Sequence, residues 1–300
     1  NEIQKKNIPQ PYFPNFFILM FAFLVLKFKK ENDSKVVAII EVSIGGRFDL
    51  TKLFKPTVAV ITRLDYDHME MLGSTPYLIS WNKFGIITKT SVNFTIPQSE
   101  LFNDALNKLV SETHRKLIVV QPNWKKDTGI HGPTAEANVS LSVAASIELM
   151  KRINYTNFDE TNIETGVKNA HIEGRYQIIS TPENGIKWCI DGAHTCESIE
   201  LCKNWFENDC LEDNISNCVL LCAVSKNRDP NVTLATLLNL KWKQIIYIDS
   251  FGKGGFNSPN CLLFHSTSLG YETILNIKPS HVLVTGSLYL VSEILKLLHE

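Results

Sequence analysis

Apolar positions in this chain change period several times, and the changes mark out alternating helices and strands. The most apolar stretch is Phe16–Leu26 (FFILMFAFLVL). It falls short of the roughly 20 apolar residues that cross a bilayer and predicts a buried helix over Tyr12–Lys30. A β-branched run, Lys35–Ile40 (KVVAII), predicts a strand reaching Val42, and Thr57–Thr62 a second one. A helix over Thr75–Phe84, short strands at Ser91–Ile96 and Leu117–Gln121, and helices over Ala135–Ile153 and Asn157–Lys168 follow. Residues Asn169–Gly174 read as a linker. Beyond them, Tyr176–Ser180 and Lys187–Ile190 predict a hairpin across Pro182-Glu183-Asn184-Gly185, whose Asn-Gly pair is a turn signal. The turn Asp191-Gly192-Ala193-His194 opens a helix through Phe206. Then come Val219–Val224, Asn231–Leu238, Gln244–Ile248, Leu283–Thr285 and Ser287–Leu298. Such alternation implies a mostly parallel sheet covered by helices on both faces.

Two strand ends carry chemistry. Glu41 closes the first predicted strand ahead of Gly45-Gly46, and Asp67-His68 follows the second. Open α/β sheets bind ligands at the carboxyl ends of their strands. A carboxylate oxygen and an imidazole nitrogen suit a divalent cation, although they make only two ligands. Polar strand ends that cap the next turn are the alternative.

Composition narrows the function classes. A net charge of −1 over 300 residues recommends neither a nucleic-acid partner nor an anionic membrane surface. The seven cysteines are odd in number, lie in the second half and show no C-x-x-C spacing. They read as core thiols of a reducing compartment. Triplets such as Asn93-Phe94-Thr95 read as chance matches to a glycosylation signal.

The order of motifs adds a resemblance. EVSIGGRFDLT, LDYDHMEMLG and ISWNKFGIITK, followed by EGRYQII, CIDGAHTCES, SKNRDP and VTGSLYLV, resemble the folylpolyglutamate synthases of the Mur-ligase superfamily, in a eukaryotic-like form. The likeness runs from about Tyr12 to Leu298. It implies an α/β protein of two domains. Residues 1–170 would form a Mur-ligase-like central ATPase domain and residues 171–300 a Rossmann-like C-terminal domain. It also implies ATP-dependent addition of glutamate to the γ-carboxylate of a folate glutamyl tail. A carboxylate is a poor electrophile, so the route passes through an acyl phosphate that the incoming amine attacks. Phosphate-rich states of this kind call for Mg²⁺ and cationic or N–H donors.

Site residues follow by position within the motifs. Glu41 and His68 match metal ligands, with Asp67 orienting the loop. Lys83 matches a lysine that carries a carbamate; by itself it would read as an exposed helix lysine. Asn138 matches an asparagine near the nucleotide phosphates, but His131-Gly132-Pro133 stands where a His-Gln pair is usual. Arg175 matches the arginine of a Pro-Gly-Arg motif in which Glu173 replaces the proline. Asp191 matches a nucleotide-binding aspartate and would also serve as a helix N-cap. His194 and Arg228 match contacts to the incoming glutamate.

The implied small molecules are ATP, Mg²⁺, folate and L-glutamate, with a monovalent cation as a further candidate. A monomer without nucleic acid or stable membrane insertion is expected, in the cytoplasm, with the mitochondrion as a second location. No G-x-x-x-x-G-K-[ST] phosphate loop occurs in the sequence, and Gly252-Lys253-Gly254-Gly255 lacks its spacing. The chain therefore reads as truncated at its N-terminus and inactive alone. The alternatives are a related ligase, such as a dihydrofolate synthase or a peptidoglycan amino-acid ligase, and a non-catalytic remnant of the fold.

Overall fold

A computed structural model describes residues 20–21, 23–28, 36–211, 215–250, 256, 258 and 260–299. The Gly252–Gly255 run and most of the predicted Tyr12–Lys30 helix lie outside these. Two compact units emerge: residues 1–123 with 140–157, and residues 124–139 with 158–300. Residues 124–139 and 158–170, assigned by sequence to the first domain, thus cluster with the second unit.

The first unit is built on a three-stranded parallel sheet, β1 (Val58–Ile61), β2 (Val92–Thr95) and β3 (Ile118–Val119), in that order. Helix α1 (Pro76–Lys83) starts where Thr75 Oγ1 accepts the Leu78 N–H at 3.2 Å, with Pro76 in the first turn. Helix α2 (Glu100–Thr113) buries Phe102, Leu106 and Leu109, spaced for one helix face, against Ile61, Leu64, Ile79 and Phe84. Helix α3 (Ala135–Arg152) gives its first residues to the second unit and the rest to the first. Helix α4 (Glu160–Asn169) opens with a reciprocal Asp159–Asn162 capping box.

Two sequence expectations fail in this unit. Residues 36–42 form no strand, and Val37 and Ile39 stand 44% and 92% exposed. A strand exists only beside a neighbour that takes its N–H and C=O groups, and β1 pairs only with β2. A β-branched run supplies propensity, not a partner. Residues 20–21 and 23–28 are helical as predicted, but Phe23, Leu24 and Leu26 are exposed rather than buried. Among the described residues, no helix is long and apolar enough to cross a membrane.

The second unit holds a six-stranded sheet in the order β4-β5-β9-β6-β7-β8. The hairpin forms as predicted: β4 (Gln177–Thr181) runs antiparallel to β5 (Ile186–Ile190) across the Asn184-Gly185 turn. All other pairs are parallel, joining β6 (Cys218–Cys222), β7 (Gln244–Ile248), β8 (Cys261–Phe264) and β9 (His281–Thr285). Strand β6 shows why both faces need helices. Its Leu220 and Cys222 pack with Ile199, Cys202 and Trp205 of α5 (Cys196–Trp205). Its Val219 and Leu221 pack with Ile274 of α6 (Thr267–Ile277) and Ile294 of α7 (Leu288–His299). Helix α5 runs on into a π-helical turn, Phe206–Cys210. The predicted Asn231–Leu238 helix is two short ones, Pro230–Thr233 and Ala235–Leu238. All seven cysteines are free thiols, and five of them are buried.

Because β5, β9 and β6 are adjacent and parallel, the turns after Ile190, Thr285 and Cys222 come out at the same end of the sheet. The DGAH motif, Gly286 and the Ser225–Pro230 loop begin there.

Candidate functional site

Asp191 is the centre of the second unit's site. It follows the last residue of β5 and is 3% exposed. Its Oδ2 accepts the Tyr176 N–H at 3.0 Å and its Oδ1 the Ala193 N–H at 2.9 Å. The Cys202 side chain is hydrogen-bonded to the same carboxylate and also to Thr285 Oγ1, at 3.6 Å. Burial pushes the Asp191 pKa above the usual carboxylate range. The two backbone N–H groups, Arg175 and His194 pull it back down.

Arg175 is exposed, and its Nη1 crowds Gly192 so closely that a Cβ there would lie 2.2 Å from it. The Gly192 N–H donates to Gly174 O at 2.9 Å, joining the arginine's own turn to the DGAH turn. His194 Nδ1 lies 2.8 Å from Gly192 O. A carbonyl only accepts, so Nδ1 carries the proton. Thr195 and Ser198 form the capping box that starts α5 immediately afterwards. Arg175, Asp191 and His194 therefore make one electrostatic cluster. Asn138 sits on the first turns of α3, its N–H on Thr134 O and its Nδ2 3.4 Å from Thr134 Oγ1. Arg228, half-buried, is placed by a turn in which its N–H donates to Ser225 O at 3.0 Å.

In the first unit, Glu41 is exposed on the irregular segment before Gly45-Gly46. His68 adopts a left-handed backbone (φ 50°), with Nε2 3.5 Å from Asp67 Oδ2. Lys83, the last residue of α1, is half-buried. Burial pushes its ammonium pKa down, and the Asp67 carboxylate partly opposes the shift. Asp67 thus faces both His68 and Lys83. Among the described residues, no three His, Cys, Asp or Glu side chains gather closely enough to cage a metal. The glycine turn packs on the end of α1: the Arg47 N–H and Nε donate to Asn82 O and Trp81 O, at 2.8 and 3.0 Å. The Arg47 guanidinium lies 3.8 Å from the Trp81 ring centroid.

Tyr176, Cys202 and Thr285 are the site residues that sequence reasoning missed. Tyr176 stands inside the GRYQ motif, but nothing in a motif announces a positive φ. Cys202 reaches Asp191 from α5, and Thr285, at the end of β9, holds the Cys202 thiol, contacts that no local pattern encodes.

No protein-family model matches the chain. A folylpolyglutamate synthase of Arabidopsis thaliana is 30% identical over 308 residues, covering 88% of this chain and 52% of the relative. The chain thus spans about half the length of the curated relatives it matches. The apo form of L. casei FPGS superposes with a TM-score of 0.72 at 21% identity, covering 91% of this chain and 68% of that one. A Mycobacterium tuberculosis folylpolyglutamate synthase complexed with ADP gives a TM-score of 0.68 at 18% identity, covering 88% and 68%. Over most of its length, then, this chain is a homologue of the folylpolyglutamate synthases and carries their Mur-ligase-like α/β fold.

Proposed function

We propose that the protein serves ATP-dependent addition of glutamate to the γ-carboxylate of folate glutamyl tails. The γ-phosphoryl group of ATP passes to the folate carboxylate, releasing ADP. The amine of glutamate then attacks the acyl phosphate, forming the amide and releasing phosphate. The observation that carries this reading is the buried Asp191 with Arg175 and His194 beside it, at the strand ends where such sheets bind ligands. That a structural neighbour is complexed with ADP supports nucleotide binding as part of this reading.

Each residue has a task that its surroundings fit. Asp191 fixes the Tyr176 and Ala193 N–H groups and gives Arg175 a nearby countercharge. The Arg175 guanidinium then presents planar donors suited to phosphate oxygens, and Asn138 adds an amide. His194, anchored through Nδ1 beside Asp191, suits the incoming glutamate, and Arg228 suits a substrate carboxylate. Lys83 is pushed toward its neutral amine by burial, the form that carbamate formation needs.

Mg²⁺ is commonly held through one or two carboxylates plus substrate phosphates. Glu41 and His68 fit as part of such a set, and the ion would neutralise phosphate charge. A complete cage is not offered by the described residues of this chain.

The test is calorimetric titration of these 300 residues with ADP and Mg²⁺. Binding is expected, weakened about tenfold or more in Arg175→Met, since a hydrogen bond to a charged group contributes about 1.5–3 kcal/mol. Glutamate-dependent ADP release by this stretch alone is expected to be negligible, because its sequence holds no phosphate loop. Absence of ADP binding, or binding indifferent to Arg175→Met, would overturn the assignment.

A further inference from the structure

Tyr176 has a backbone and a ring that serve different neighbours. Its φ is +47°, in the left-handed region that a tyrosine rarely occupies. That twist aims its N–H at Asp191 Oδ2, 3.0 Å away. The ring turns the other way. It meets Trp205 of α5 edge-on, with centroids 5.3 Å apart and planes at 76°. It also lies against Gly132, where an added Cβ would come within 2.2 Å of ring carbon Cδ2.

Gly132 itself has a φ of +89° and starts the turn that leads into α3. Its carbonyl accepts the Ala135 N–H at 3.0 Å, and Thr134 O accepts the Asn138 N–H at 3.0 Å. The same segment is held a few residues earlier, where the Gly129 N–H donates to Val167 O at 3.1 Å. One residue therefore touches both the buried aspartate and the turn that carries the asparagine. This is also the turn where His131-Gly132-Pro133 replaces the usual His-Gln pair.

We propose that Tyr176 is a positioning residue for the nucleotide site: its N–H orients Asp191 while its ring, wedged between Gly132 and Trp205, sets the start of α3 and with it Asn138. The departure at residues 131–133 has a physical role in this arrangement. The glycine leaves the space the ring occupies, and side chain and backbone at the two positions are matched as a pair. The inference rests on the nucleotide reading above for its consequence, and on contacts alone for the coupling between the two turns.

The two functions of Tyr176 separate by substitution. Tyr176→Gly keeps the left-handed backbone and the N–H but deletes the ring. Tyr176→Phe keeps the ring. Gly132→Ala fills the ring's space from the opposite side. The measurements are amide hydrogen exchange of residues 129–138 and ADP affinity, both on the full 300-residue chain. Tyr176→Gly and Gly132→Ala are each expected to speed exchange at Ala135 and Asn138 by about tenfold and to weaken ADP by a similar factor. Tyr176→Phe should restore both. Gly132→Ala should cost much less in the Tyr176→Gly background, because the clash is gone.

Unchanged exchange in Tyr176→Gly would overturn the coupling. So would strict additivity of the two substitutions, or a Tyr176→Phe protein that behaves like Tyr176→Gly. Faster exchange with ADP affinity intact would also overturn the positioning role. An unaltered chain that binds no ADP would sink the functional reading and the role at the nucleotide site, while the exchange data still decided whether ring and turn are coupled.

Discussion

Gly286 gives the sharpest quantitative test of how the Asp191 end of the sheet is held. It follows the last residue of β9 with a φ of +94° and donates its N–H to Ala193 O at 2.8 Å, tying β9 to the DGAH turn. A Cβ at this position would lie 2.1 Å from Ala223 O, a backbone atom that cannot swing aside as a side chain end can. Gly286→Ala therefore carries two costs. The left-handed backbone costs an L-residue about 1–2 kcal/mol. Backing away from Ala223 O also strains or breaks the bond to Ala193, roughly 0.5–1.5 kcal/mol more. The sum is about 1.5–3.5 kcal/mol, or a Tm lowered by roughly 3–14 °C for a unit of this size. Gly185→Ala is the control: its φ is +68°, but nothing lies within 4 Å of the added Cβ, so only the backbone cost applies. Thermal melts of the three proteins by circular dichroism decide the matter. If Gly286→Ala melts together with Gly185→Ala, the close approach to Ala223 has no energetic meaning and the tie to the DGAH turn is not rigid.

Lys83 sets a pH dependence of definite sign. Its folded pKa lies below the ordinary 10.5, so between the folded value and 10.5 the unfolded chain binds more protons. Stability should rise with pH across that window, and Lys83→Met should remove the rise in urea melts taken from pH 8 upward. A difference curve that is flat or falling would contradict burial as the cause. Thiol labelling should divide the cysteines by position: exposed Cys196 reacts at once in native protein, and half-buried Cys261, its thiol pushed up to about 11, reacts slowly. Buried Cys189, Cys202, Cys210, Cys218 and Cys222 should wait for denaturant. Lys126 bonds both Glu160 and Glu164, but Lys126 and Glu160 are exposed and Glu164 only half-buried, so Lys126→Ala should melt with the parent. A clear drop in Tm would show the pair of bonds to be structural.

What the sequence revealed depended on how local the cause was. The β4–β5 hairpin was legible because Asn184-Gly185 encodes its own turn, and β6 and β7 because a doubly covered strand is apolar throughout. Asp191 was legible as a strand end. Helix α2 was absent from the predicted elements, although Phe102, Leu106 and Leu109 recur at helical spacing. Strand β8, with Leu262 and Leu263 exposed, lacks the continuous apolar signature of its neighbours. The error at residues 36–42 has the opposite origin, a strong local propensity with no strand beside it. At the site, Arg175, Asp191 and His194 were marked by their motifs. The roles of Tyr176 and Cys202 depend on a backbone twist and on a contact between α5 and the end of β5, neither of which is written in consecutive residues.

The path of the backbone has a consequence for the order in which the molecule can be made. The chain passes from one compact unit to the other after residues 123, 139 and 157. During synthesis, Trp124–Val139 emerges well before the strands it will join. It must wait, as an unsatisfied segment, until residues 158–300 have been added. The second unit is therefore not a detachable cassette. An expression boundary drawn at 158 would discard the Gly129 and Gly132 turns. A ribosome pausing after Asn157 would hold a protein whose first unit can close while the Gly132 turn still has nothing to rest against.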